Sequence, residues 1–141
     1  MAESTGGPYQ GRVIRRRDDG WDGVQARDYK DRPGDYAGIT RFRLAAPDEA
    51  SFELRYFEVR AGGHSSHERH RHVHVIVVLR GRGRVRLGER EEELNPGDVA
   101  IVASGEPHQF TNPYVEPFGF LCIVDRDRDR PTPIDPMPIR G

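Results

Sequence analysis

The sequence is short of cysteine, of lysine and of unbalanced charge. Its 141 residues include one cysteine, Cys122, so the chain cannot form an internal disulfide. Lys30 is the only lysine, and arginines interleaved with acidic residues supply the other positive charges. The formal net charge is -1. Such a balance does not attract nucleic acid or an anionic membrane, and we predict neither as a partner.

Long apolar runs are missing as well. No run approaches the roughly 20 apolar residues that a membrane span requires. The first residues, MAESTGGPYQG, lack the hydrophobic segment of a secretory signal. We therefore predict a cytoplasmic protein, and its length fits one domain with one core.

Helix signals are nearly absent, whereas turn residues are frequent, with 16 glycines and 11 prolines. Between the turns lie short runs rich in β-branched and aromatic residues, which predict strands. These runs are 39–45, 51–59, 72–80, 83–88, 98–103, 108–112 and 118–124. Short strands at nearly regular spacing indicate an all-β sandwich or barrel.

The two ends of the chain differ from its middle. Residues 1–38 are polar and rich in glycine, aspartate and arginine, with Trp21, Tyr29 and Tyr36 as isolated aromatic anchors. We expect an arm there that packs on the barrel or on a partner. Residues 39–125 form the predicted barrel. Residues 126–141 contain four prolines and predict an extended strap or a linker.

Five of the six histidines fall between His64 and His74. On a strand, side chains two residues apart share a face, so one face would carry Glu68, His70, His72 and His74. Burying these side chains without a cation would be costly, and the apolar run VIVVL follows directly. The pattern predicts a metal site in the barrel interior, since imidazoles and a carboxylate suit zinc, iron, manganese, nickel or copper.

The histidine segment and a later segment resemble the two motifs of the cupin family. The second motif has its family spacing from Gly97 through His108 to Asn112, with Ala103 in place of a proline. The first motif has its family spacing from Gly62 to Gly81, with two residue types exchanged. Glu68 stands where the family has its first histidine, and His74 stands where the family has its glutamate. The resemblance implies a double-stranded β-helix, which is a jelly-roll-like barrel, over residues 39–124.

The resemblance also implies the ligand set. The exchange preserves three imidazoles and one carboxylate, which are Glu68, His70, His74 and His108. One divalent ion per chain would bind there, with zinc favoured and iron, manganese or nickel as alternatives. A competing register through His67 breaks the family spacing. His72 remains open as a fifth ligand, a proton shuttle, a group outside the ligand shell or a solvated side chain.

Other side chains are candidates for contact with a substrate. If even positions of 51–59 face inward, Phe52, Leu54, Tyr56 and Glu58 line the cavity, with Tyr56 as a hydrogen-bond donor or a core residue. Phe110 shares the face of His108 and is expected to form an apolar wall of the cavity. Arg43 and Arg55 are candidates for binding a substrate carboxylate, or are solvated. Cys122 is expected in the core with Phe118 and Phe120.

The cupin resemblance implies several functions. We expect a metal-dependent enzyme that acts on a small polar metabolite, with the metal as a Lewis acid. An iron or manganese dioxygenase, an isomerase, and a non-catalytic cupin that binds a small ligand are the alternatives. The run VIVVL is apolar on both faces, which is consistent with a homodimer.

A narrower resemblance concerns RYFEV, GGHSS, ERH and PFGFLCIVDRDRDRP, which look like the zinc-binding cupin domains of bacterial hydrazine synthetases. It implies N–N bond formation between an N-hydroxylated lysine and an amino acid. It also implies a methionyl-tRNA-synthetase-like domain after this chain in a longer protein.

Overall fold

The computed structural model describes residues 9–28, 37–129 and 131–134. These residues form strands and no helix, which confirms the predicted all-β fold. The strands are β1 (Arg16–Arg17), β2 (Gly20–Trp21), β3 (Ala26–Asp28), β4 (Ala37–Ala45), β5 (Phe52–His64), β6 (Glu68–Arg69), β7 (His74–Arg80), β8 (Gly83–Leu87), β9 (Arg90–Leu94), β10 (Val99–Val102), β11 (His108–Thr111), β12 (Phe118–Asp125) and β13 (Thr132–Pro133). Among the described residues there is accordingly no helix that could cross a membrane.

The strands form one curled antiparallel sheet and a separate hairpin of β1 and β2. The order along the main sheet is β10-β7-β12-β5-β11-β6-β13. Strand β5 continues sideways to β4 and β3, and β11 continues to β8 and β9. The long β5 pairs with β12 along most of its length and meets β11 only at His64. The sheet therefore folds back on itself around one interior.

The interior is apolar and is built from alternate residues of nearly every long strand. Its members are Ile39, Phe57, Val59, Ile76, Val78, Val85, Leu87, Leu94, Ala100, Val102, Phe110, Phe118, Phe120, Cys122 and Val124. A second cluster lies on the other side of β4 and β5, where Phe42, Leu44 and Tyr56 pack against partly buried Trp21 and Val24. Trp21 therefore anchors the N-terminal segment to the sheet, while Tyr29 and Tyr36 lie outside the described residues.

Two local expectations differ from the structure. Strand β9 was not predicted, because its acidic sequence REEEL has no apolar alternation; it pairs with β8 through a two-residue turn that begins at Gly88, whose φ is +63°. The segment from Glu68 to His74 is also not one strand. It is β6, a bend at residues 70–73, and then the start of β7.

Candidate metal centre

The candidate ligands lie where three strands begin. Glu68 opens β6, His74 opens β7 and His108 opens β11, while His70 follows β6 directly. Antiparallel pairing places His108 opposite Glu68. The structure thus brings together all four residues of the predicted ligand set, from segments that are up to 40 residues apart in sequence.

The donor atoms form two overlapping groups. Glu68, His70 and His108 form one group, and His70, His72 and His74 form the other; within each group the donor atoms lie within 4.8 Å of one another. His70 Nε2 and His74 Nε2 are 2.8 Å apart. The ring centroids of His70 and His108 are 4.7 Å apart, and those of His74 and His108 are 5.4 Å apart. Neither group contains His67, so the competing register gains no support from the described residues.

Hydrogen bonds fix which ring nitrogens are free to bind a cation. His70 Nδ1 donates to the carbonyl of His72 at 2.8 Å, and His108 Nδ1 donates to the carbonyl of Glu106 at 2.9 Å. A carbonyl only accepts, so each of these neutral rings carries its hydrogen on Nδ1 and a lone pair on Nε2. These lone pairs, a third imidazole and the Glu68 carboxylate form a donor set that fits a divalent transition metal.

The surroundings keep the imidazoles neutral, which is the form that binds a metal. Burial, together with the neighbouring His108, lowers the pKa of His70 to about 4. Burial and His70 lower the pKa of His74 far below its ordinary value. Burial also lowers the pKa of His108. Near neutral pH a cation at this site would not have to displace protons from these rings.

The cavity beside the cluster has a volume of about 50 Å³, which is enough for an ion with one or two waters. Arg55, Phe57, Phe110, Phe120 and Cys122 are among the side chains that line it with Glu68, His74 and His108. Phe110 and Arg55 therefore lie where a substrate at the cluster would contact them.

Arg55 is a buried cation with incomplete hydrogen bonding. The side chain comes from β5, and the residue is 8 % exposed. Its guanidinium lies 5.0 Å from the centre of the Phe57 ring, and one terminal nitrogen donates to Cys122 Sγ at 3.5 Å. Its Nε has no hydrogen-bond partner. An unpaired donor of a buried cation is costly unless an acceptor, such as an oxygen of a ligand, meets it.

Tyr56 and Arg43 do not reach this cavity. Tyr56 packs on the opposite face of β5, with its ring 5.6 Å from that of Trp21, and its hydroxyl donates to Glu58 at 3.1 Å. Burial, with the nearby Glu58 carboxylate, raises the Tyr56 pKa to about 12. The side chain of Arg43 is 59 % exposed and pairs with Glu53.

The expectation that even positions of β5 face inward is therefore wrong. Odd positions, including Arg55 and Phe57, line the cavity. The inward-facing positions are even at the histidines but odd in this part of β5. The alternation changes because Gly62, with a φ of +78°, interrupts the extended backbone between the two segments.

Two residues near the cluster received no role from the sequence. Cys122 Sγ lies 3.0 Å from His74 Nδ1, so this core residue also borders the ligand shell. Asp129 accepts a hydrogen bond from His72 Nδ1 at 2.9 Å. No local pattern could have identified them, because they contact histidines 48 and 57 positions away in the chain.

Known proteins share the fold, and the range that a family model matches includes the histidine segment. The family model described as "Cupin domain" matches residues 55–124. The 1-methylthio-D-xylulose 5-phosphate methylsulfurylase of Rhodospirillum rubrum is 39 % identical over 112 residues, which span 79 % of this chain and 72 % of that enzyme.

Two solved structures extend this similarity. A cupin 2 conserved barrel domain protein from Rhodopseudomonas palustris aligns with a TM-score of 0.83 at 34 % identity, covering 89 % of this chain and 88 % of that one. A sugar phosphate isomerase of the cupin superfamily from Silicibacter pomeroyi DSS-3 aligns with a TM-score of 0.68 at 25 % identity, covering 75 % of this chain and 73 % of that one. None of these three names refers to a hydrazine synthetase, so they give N–N bond formation, its zinc ion and its additional domain no support.

Proposed function

The chain belongs to the cupin family, and we propose that it is a metal-dependent enzyme that acts on a small phosphorylated carbonyl compound, such as a sugar phosphate. The observation that carries the proposal is the buried Arg55, which lines the cavity beside the His/Glu cluster and whose Nε has no hydrogen-bond partner. Two relatives bear names that refer to sugar phosphates, and both names describe enzymes.

The electrostatics of the cavity support an anionic substrate. Arg55 and a divalent ion would together outweigh the single carboxylate of Glu68, so the cavity would attract negative charge. Arg55 helps to lower the pKa of the nearby Glu53 carboxylate, but Glu53 forms its ion pairs with Arg43 and Arg128, and Arg55 Nε has no hydrogen-bond partner. Its guanidinium is therefore available to donate to an anionic oxygen of the substrate.

The cavity also supports chemistry next to a carbonyl group. A metal held by Glu68, His70, His74 and His108 would act as a Lewis acid toward the carbonyl oxygen. Arg55 would stabilise the negative charge that develops on a substrate oxygen when a neighbouring carbon loses a proton or a group. The rings of Phe57, Phe110 and Phe120 would exclude water and so strengthen these interactions. The small volume admits only the reacting end of a substrate unless the lining moves.

The experiment follows proton exchange, because formation of an enolate exchanges hydrogen next to the carbonyl whatever the final product. Protein loaded in turn with zinc, manganese or iron(II) is incubated in D₂O with D-xylulose 5-phosphate, with 1-methylthio-D-xylulose 5-phosphate and with unphosphorylated D-xylulose. Proton NMR then measures deuterium incorporation and any loss of the methylthio group. We expect exchange or turnover with a phosphorylated sugar and at least about 100-fold less with D-xylulose.

Two arginine variants test the role of the cavity. Arg55→Gln should lower kcat/KM by about 100-fold or more, since it removes a charged hydrogen bond made in the transition state. Arg43→Gln is the matched control, because Arg43 lies on the solvent side, and it should behave as the parent. Absence of exchange with every phosphorylated sugar in the fully loaded protein would reject the proposal. Equal activity of the two variants would reject the role of Arg55.

A further inference from the structure

Asp129 reaches the candidate metal centre from outside the segment that matches the family. It follows β12, and its carboxylate accepts three hydrogen bonds from the bend that carries the histidines. The donors are the backbone N–H of Arg71 at 2.8 Å, the backbone N–H of His72 at 3.1 Å and His72 Nδ1 at 2.9 Å. The Arg71 side chain also lies 3.9 Å from this carboxylate. One side chain therefore fixes both the backbone of the bend and the ring of His72.

His72 in turn fixes His70. The two rings stack with centroids 3.6 Å apart and planes only 6° from parallel. The carbonyl of His72 accepts the hydrogen bond from His70 Nδ1 at 2.8 Å. The ring and the backbone of His72 together determine the orientation of His70, which aims its Nε2 lone pair into the cluster.

The stacking also excludes His72 as a ligand of the ion that His70 would bind. An imidazole binds a metal along the lone pair of its nitrogen, which lies in the plane of the ring. Two parallel rings separated by van der Waals contact have no common plane, so a single ion cannot lie in the plane of both. His70 and His72 therefore do not bind the same ion in this arrangement, although their donor atoms are close together.

We propose that Asp129 is a positioning residue of the metal centre and acts through His72, which supports the ligand His70 without binding the ion. The inference rests on the proposed function in one respect, namely that the cluster binds a metal. Partners in the outer shell of this kind orient ligands, and their loss typically weakens metal binding about 10–100-fold.

The segment after β12 also contacts the chain next to the bend at a second point. Strand β13 pairs with β6, with Pro133 opposite Glu68, and the N–H of Ile134 donates to the carbonyl of His67 at 2.9 Å. The segment after β12 thus contacts the backbone around two predicted ligands, Glu68 and His70. The candidate metal centre is therefore supported by residues that follow the range matched by the family.

The experiment compares Asp129→Asn with Asp127→Asn in the full chain. Asp127 is an exposed acid on the same segment and serves as the matched control. The Kd for zinc and for cobalt is measured by competition with a chromophoric chelator, together with the visible spectrum of the cobalt form. We expect Asp129→Asn to raise the Kd about 10–100-fold and to change the cobalt spectrum, while Asp127→Asn changes neither.

A double-mutant cycle separates positioning from simple support of the fold. If Asp129 acts through the His72 ring, the effect of Asp129→Asn on the Kd should shrink in a His72→Ala background. An equal effect in both backgrounds would overturn the inference, as would an unchanged Kd in the single variant. If the parent protein itself binds no metal, the proposed function fails first, so the two failures are distinguishable.

Discussion

At the scale of single residues, the site depends on how each polar side chain is satisfied. The Nδ1 atoms of His70 and His108 are used by backbone carbonyls, which leaves their Nε2 atoms for the cluster. By contrast, the buried Nε of Arg55 has no hydrogen-bond acceptor among the described residues. The hydrogen bonds of these side chains therefore distinguish two candidate ligands from Arg55.

Glu53 gives a prediction about stability at the same scale. Its buried carboxylate pairs with Arg128 at 3.1 Å and with Arg43 at 3.5 Å. Burial alone would raise the pKa of Glu53, but the hydrogen bond and charge of Arg128 prevail and lower it. A lowered pKa in the folded state means that the carboxylate stabilises the fold above the unfolded pKa of about 4.3. This contribution is lost as the pH falls through the lowered value.

We therefore expect Glu53→Gln to reduce the free energy of unfolding at pH 7 by about 1.5–3 kcal/mol, because it removes a charged hydrogen bond. Urea denaturation between pH 3 and 7 measures the free energy of unfolding of the parent and the variant. The difference between the parent and the variant should narrow below about pH 4.3. A difference that does not depend on pH would contradict the assignment to the Glu53 charge.

At the scale of elements, strands β5, β7 and β12 form the frame to which the site is attached. Strand β12 lies between β7 and β5 and pairs with both. It supplies Cys122 and Phe120 to the cavity, and the segment after it supplies Asp129 to the bend. A change in the position of β12 relative to β7 would therefore alter the surroundings of both His70 and His74.

Gly119 of β12 is required by the packing between these strands. A Cβ at this position would lie 1.9 Å from the Tyr56 hydroxyl and 3.0 Å from Arg80 Cγ. We expect Gly119→Ala to destabilise the fold by about 1–3 kcal/mol, as overpacking does. Thermal unfolding monitored by circular dichroism measures the loss.

A second substitution, at Tyr56, should partly relieve this clash. Tyr56→Phe removes the atom nearest to the new methyl group, so the double variant should lose less stability than the two single variants together. Gly11→Ala is the control, since an added Cβ there meets nothing within 4 Å. Additive losses in the double variant would show that the Tyr56 hydroxyl is not the obstacle.

At the scale of the whole molecule, one apolar face of the sheet is only partly covered by the described residues, with Leu121 packed against the second cluster and Val99, Ile101 and Ile123 exposed. Val99 and Ile101 of β10 lie opposite Val77 and Val75 of β7, which in turn lie opposite Leu121 and Ile123 of β12. We call the side chains of these six residues the outer face. Val99 and Ile101 are 58 % and 62 % exposed, and β10 pairs only with β7 in the part of the chain described.

We propose that a second copy of the chain covers the outer face, since it continues to an edge strand that a symmetric partner could also pair with. Light scattering coupled to size-exclusion chromatography should then report a dimer. Ile101→Glu should give a monomer with the same metal content as the parent. Val115→Glu is the control, because this exposed valine lies in the loop before β12. A monomeric parent, or a dimeric Ile101→Glu variant, would contradict the proposal.

The sequence by itself determined the all-β fold and identified the four residues that the structure gathers as candidate ligands. Turn residues mark the ends of the strands locally, and each motif is recognised from residues that lie close together in sequence. Tertiary structure decided which face of β5 points inward, because pairing register and a left-handed Gly62 set that face. It also decided that Arg55, Cys122 and Asp129 meet the histidines. These contacts join parts of the chain that are well separated in sequence, beyond the reach of local periodicity.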